Sequence, residues 1–150
     1  MGFFSPTGAS AALPCQFEVT RRWYSQQPGG ERRFHFQLRD SGAVTCAATV
    51  LLSTQPSTYD WTIAPLAPGA SGNYRWVEQV SPTVLTATHL LGLSPWGAQL
   101  TDPCQMEITR SWYVQRIDPD GTAQRQLVLT VTNVGAIGCT ATVFLTPLTT

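Results

Sequence analysis

The stretch Pro14-Cys15-Gln16-Phe17-Glu18-Val19-Thr20-Arg21-Arg22-Trp23-Tyr24 returns 89 residues later as Pro103-Cys104-Gln105-Met106-Glu107-Ile108-Thr109-Arg110-Ser111-Trp112-Tyr113. A second match follows in each half. Gly42-Ala43-Val44-Thr45-Cys46-Ala47-Ala48-Thr49-Val50 returns as Gly135-Ala136-Ile137-Gly138-Cys139-Thr140-Ala141-Thr142-Val143, now 93 residues on. The extra four residues enter where Pro28-Gly29-Gly30 gives way to Asp118-Pro119-Asp120-Gly121. Self-similarity of this kind marks a repeated supersecondary unit, so each copy constrains the reading of the other.

Both copies alternate with period two. Cys15, Phe17, Val19, Arg21 and Trp23 share one face of a first strand, with Gln16, Glu18, Thr20 and Tyr24 on the other. Phe34, Phe36 and Leu38 align in a second strand, matched by Leu127, Leu129 and Val131. Cys46, Ala48, Val50 and Leu52 align in a third, matched by Cys139, Ala141, Val143 and Leu145. Between the copies, Tyr59–Ala64, Asn73–Val80 and Thr83–Leu91 read as further strands, with Pro65–Gly72 as a turn. No segment carries an apolar stripe at helical spacing. Such alternation between Gly- and Pro-rich turns predicts an all-β protein, an antiparallel immunoglobulin-like β-sandwich with an internal duplication.

The expected organisation is an N-terminal arm over residues 1–13, a sandwich unit over 14–100 and a partial second copy over 101–150. Thr150 aligns with Ser57, so the second copy has no later counterpart of the strands between Tyr59 and Leu91. Half a sandwich leaves an apolar face and an edge to be covered, either by the first copy or by another subunit. Phe3 and Phe4, in the arm, are the candidates for reaching a neighbour.

Two turns carry a family resemblance. Leu129-Thr130-Val131-Thr132-Asn133-Val134-Gly135 and Leu66-Ala67-Pro68-Gly69-Ala70-Ser71 resemble the Asn-Val-Gly and Leu-x-Pro-Gly-x-Ser turns of bacterial and phage immunoglobulin-like adhesion modules. The first copy departs from that pattern, with Asp40-Ser41-Gly42 where the motif has Asn. The resemblance implies a fold and leaves the ligand open.

Composition narrows the function. Charged residues make up 12% of the 150, about half the usual ~25%, so Thr, Ser, Gln and small apolar side chains must form much of the surface. Formal net charge is +0, every basic residue is Arg, and none cluster beyond Arg21-Arg22 and Arg32-Arg33, which argues against a nucleic-acid partner. No apolar run is long enough for a membrane-spanning helix, and residues 1–13 lack the pattern of a signal peptide, so no cleavage and no membrane insertion are expected.

The four cysteines suggest the pairs Cys15–Cys46 and Cys104–Cys139, against the alternatives of buried free thiols or zinc, the latter lacking any Cys-x-x-Cys spacing. Disulfides would indicate an extracellular or virion-surface location. Only His35 and His89 are available for proton transfer at neutral pH, and no nucleophile elbow, phosphate-binding loop or His-Glu-x-x-His string accompanies them. No catalytic residue, metal or cofactor is therefore expected. Glu18 and Glu107 repeat with their strand, and Asp118-Pro119-Asp120-Gly121 reads as a hairpin turn rather than a calcium loop.

Trp23 and Trp112 share a face with cysteines and read as core, with Arg21 and Arg110 stacked on them. Tyr24, Trp61, Trp76, Trp96 and Tyr113 are candidate ligand or interface aromatics. Together these features lead to the expectation of a non-catalytic assembly protein, a decoration-type component of a phage virion or a repeating subunit of a surface filament. Its partners would be copies of itself or a larger scaffold. The alternative is a carbohydrate- or receptor-binding module.

Overall fold

A computed structural model describes residues 2–10, 12–52, 57–79 and 87–149. Ten strands run in chain order: β1 (Gly2–Thr7), β2 (Phe17–Gln26), β3 (Arg32–Asp40), β4 (Ala47–Leu52), β5 (Tyr59–Thr62), β6 (Ser71–Gln79), β7 (Ala87–Trp96), β8 (Cys104–Ile117), β9 (Ala123–Asn133) and β10 (Thr140–Thr149). Helix is absent among the described residues, and β1 with β4, β5 and β7 with β10, β2 and β9 with β8, and β6 with β9 pair antiparallel. The chain forms two compact units. Met1–Arg22 and Phe34–Pro56 make the first, and Trp23–Arg33 and Ser57–Thr150 the second, so the tip of the β2–β3 hairpin belongs to the second unit.

The second unit is sandwich-like. One sheet has the order β5-β10-β7, and β8, β9 and β6 form the other, extended beyond β8 by the tip of β2. Met106, Leu129, Val131, Ala141, Val143 and Leu145 are completely buried, together with the Cys104 half of the Cys104–Cys139 disulfide. These are the positions that alternation turned inward, because successive side chains of a strand point to opposite faces. Ile63, from the chain between β5 and β6, and Leu93 of β7 close the same core.

The first unit contains β1, β4, the base of the β2–β3 hairpin and the Cys15–Cys46 disulfide. The segment expected as a free arm is β1, paired with β4 from Gly2 opposite Leu52 to Thr7 opposite Ala47. The backbone of Phe3 faces Leu51 and that of Phe4 faces Val50, while their side chains lie outside the described part of the structure. In the second unit, β7 pairs with β10 from Leu91 opposite Leu145 to Trp96 opposite Thr140. The two registers coincide once the first partner is shifted by 89 and the second by 93. Ser5-Pro6-Thr7-Gly8-Ala9 thus stands where Ser94-Pro95-Trp96-Gly97-Ala98 stands in the second unit.

Gly8 and Gly97 share a backbone state reserved for residues without a Cβ. Each has φ of +108°, and a Cβ there would lie 3.2 Å from the Cβ of Cys46 at Gly8, and 3.3 Å from that of Cys139 at Gly97.

Of the two expected ways of covering the strands after residue 101, covering from within the chain is the one found. β5 adds to β10 and β6 to β9, so β10 and β9 have neighbours on either side. It is the first unit that has fewer strands: among the described residues β4 pairs only with β1 and β3 only with β2. Val50 and Leu52 are 37% and 63% exposed, whereas their counterparts Val143 and Leu145 are buried.

Candidate functional site

The apolar surface of β4 is the first candidate. Val50, Leu51 and Leu52 are exposed in succession, and Phe34 of β3 is exposed as well. Exposed apolar side chains grouped on a strand with an open edge are a pairing surface rather than a catalytic one.

A groove on the outer face of the second unit is the other. β8 bulges between Ile108 and Arg110, so the alternation slips by one residue there. Cys104 and Met106 stay inward, but Arg110, Trp112 and Val114 face the same side as their partners Thr130, Val128 and Gln126. Trp112, expected in the core, therefore lines an open groove of about 290 Å³ with Asn73, Arg75, Val114, Arg116, Gln126 and Val128. The stacking of Arg110 on Trp112 is present, with the guanidinium carbon 4.4 Å from the ring centroid, and Arg110 is exposed. The bulge carries no residue-type signature that alternation would reveal.

The five candidate aromatics do not gather on one surface. Tyr24 and Trp61 pack against the buried cluster of the second unit. Trp76 stacks on Trp61 at 6.1 Å and meets Tyr59 at 4.4 Å between ring centroids. Trp96 is exposed near the β7 end, and Tyr113, also exposed, lies under the Arg125 guanidinium at 4.7 Å.

Two polar arrangements organise the second unit. The side-chain oxygen of Gln26, at the tip of β2, accepts from the backbone N–H groups of Gly97 (2.9 Å) and Ala98 (3.2 Å). Next to it Tyr24, Ser25 and Gln26 pair with Met106, Gln105 and Cys104. Asn133 is fully buried; its amide donates to the carbonyls of Leu66 (2.9 Å) and Ile137 (2.7 Å), and its oxygen accepts from Gly135 N–H (2.9 Å). The turn after Leu66 and the turn after Asn133 thus meet at this residue.

Titration shifts fall on turns and on one aromatic ring. Arg33 holds the exposed Glu31 carboxyl below its ordinary value through a 2.8 Å hydrogen bond. The Thr122 N–H does the same for Asp120, and burial raises the Tyr74 hydroxyl. Among the described residues no group of three or more His, Cys, Asp or Glu is arranged to hold a metal. The side chain of His89 lies outside the described part.

No family model, curated protein or solved structure matches the chain. The two disulfides fit an oxidising, non-cytoplasmic setting.

Proposed function

We propose that this chain is a non-catalytic structural protein built from two copies of an immunoglobulin-like strand unit, and that it works as a repeating or decorating subunit of a larger assembly such as a virion or surface filament. One observation carries the reading: residues that form the closed core of the second unit have counterparts in the first that remain exposed, Leu52 at 63% against Leu145 at 0%. Burying such side chains yields about 25 cal/mol per Å² of apolar area, so an assembly that covers them is favoured. The low charge content supports close packing between subunits. Sedimentation and negative-stain electron microscopy of the oxidised chain test the reading. Regular oligomers or fibres are expected, and a monomer at all concentrations up to the millimolar range would refute it.

A second reading, glycan or receptor binding, draws support from the groove at Trp112, whose lining of Asn, Gln and Arg around an indole suits a polar or acidic sugar. Under that reading Trp112→Ala abolishes binding on a glycan array while leaving the fold intact.

A further inference from the structure

The groove on the outer face of β6, β9 and β8 contains a buried polar group that the fold leaves without a partner. Gln126 lines it at 6% exposure, and its side-chain amide makes no hydrogen bond among the described residues. Buried amides are ordinarily paired, because burial removes the water that would otherwise satisfy them. A ligand that supplies both a donor and an acceptor at this point completes the site.

Charge around the groove has one sign. Arg75 and Arg116 line it, no Asp or Glu does, and neither guanidinium is ion-paired among the described residues. Arg110, stacked on Trp112, adds a third cation beside it. In a chain of formal net charge +0 this placement is uneven, and it draws anions to the face.

Strand register sets the spacing. Arg75 and Trp112 both lie opposite Val128, one on each side of β9, so their backbones stand two strand spacings apart, about 10 Å, with an aliphatic floor between them. Asn73 accepts from the Thr130 hydroxyl at 2.8 Å, which leaves its NH2 group as a donor.

We infer that this groove binds a carboxylated sugar. Arg75 and Arg116 take the carboxylate, Gln126 and Asn73 take ring hydroxyls, and Trp112 with Val128 receives the C–H face. Guanidinium groups hold carboxylates through paired, charge-assisted hydrogen bonds. Sugar hydroxyls both give and accept, which matches the Gln126 amide; a bare phosphate or carboxylate only accepts and would leave the amide oxygen unsatisfied. The groove lies on a sheet face, where backbone groups are already engaged in the ladders, so an acidic peptide has no strand edge to join there. This deepens the glycan-binding reading, rests on it, and is independent of assembly.

The test titrates the oxidised full-length chain with oligogalacturonate, with its methyl ester, whose carboxyl groups are uncharged, and with poly-glutamate. NMR follows the side-chain amide of Gln126 and the indole N–H of Trp112. Saturable shifts of both signals are expected with oligogalacturonate, at an affinity at least about tenfold above that of the ester or of poly-glutamate. Arg75→Gln and Arg116→Gln, at exposed positions, are each expected to weaken binding roughly tenfold, and added salt to weaken it further. Gln126→Leu is expected to weaken binding about fivefold or more while the melting temperature holds or rises, because no internal hydrogen bond is lost. A lowered melting temperature in that variant would overturn the role given to Gln126. Equal affinity for the ester would overturn the carboxylate and leave the glycan reading standing, and equal affinity for poly-glutamate would overturn the sugar. No shift with either saccharide at millimolar concentration would overturn the inference; the glycan reading falls with it only if an array of uncharged glycans also shows no binding that depends on Trp112.

Discussion

Asn133 in the second unit and Asp40 in the first make the same turn hydrogen bond and differ in one atom's chemistry. Each accepts the N–H two residues on, from Gly135 at 2.9 Å and from Gly42 at 3.0 Å. The second side-chain atom of Asn133 is an amide nitrogen that donates to Leu66 and Ile137. In Asp40 that atom is an oxygen, 3.8 Å from the Cys46 sulfur, and it has no proton to offer a carbonyl when ionised. The chain between β5 and β6 brings the Leu66 carbonyl to Asn133.

Asn133→Asp is expected to destabilise the protein by roughly 3 to 5 kcal/mol at neutral pH, because a buried carboxylate would face two carbonyl oxygens. Urea unfolding measures it; a loss below about 1 kcal/mol would show that Asn133 does not hold the Leu66 turn.

Asp40→Asn is expected to stabilise the first unit slightly, by about 0.5 to 1 kcal/mol, through a new donor to the Val44 carbonyl, the counterpart of Ile137. Amide exchange around residues 40–46 should slow. Unchanged exchange would contradict the equivalence of the two sites.

Gly97→Ala and Gly8→Ala place a Cβ in a backbone state that side chains rarely adopt, against a disulfide half-cystine. Each is expected to cost about 1 to 3 kcal/mol in thermal or chemical unfolding. Gly29→Ala, whose added Cβ meets nothing within 4 Å, serves as the control and should change little.

Loss of a disulfide removes a closed loop from the unfolded state. Replacing Cys104 and Cys139 by Ala should cost about 2 to 4 kcal/mol of unfolding free energy, with a similar loop term for Cys15 and Cys46, since their separations are 35 and 31 residues. The native core adds a packing penalty only for the first pair, so that double variant should be the less stable. The reverse order would contradict the burial difference between the units.

Much of this was legible in the residues. Alternation through Cys139, Ala141, Val143 and Leu145 identified the inward face of β10, and the repeated cysteines identified both bridges. β1 was not read as a strand because residues 1–13 match the later sequence only at Ser5-Pro6 and Gly8-Ala9, too little to align them with β7 before the pairings of β1 with β4 and β7 with β10 were seen. Trp112 was misplaced because a bulge near Thr109 reverses the faces without altering the pattern of residue types. The partners of β5 and β6 were illegible from patterning, since β4 and β10 carry similar alternating patterns, as do β3 and β9. Tyr24 and Tyr113 read identically as candidate aromatics, but Tyr24 packs on the core whereas Tyr113 is 44% exposed.

The most direct measurement is light scattering of the oxidised full-length chain across a concentration series. Masses that rise through multiples of the chain mass are the predicted result. A single-chain mass at every concentration would contradict the account.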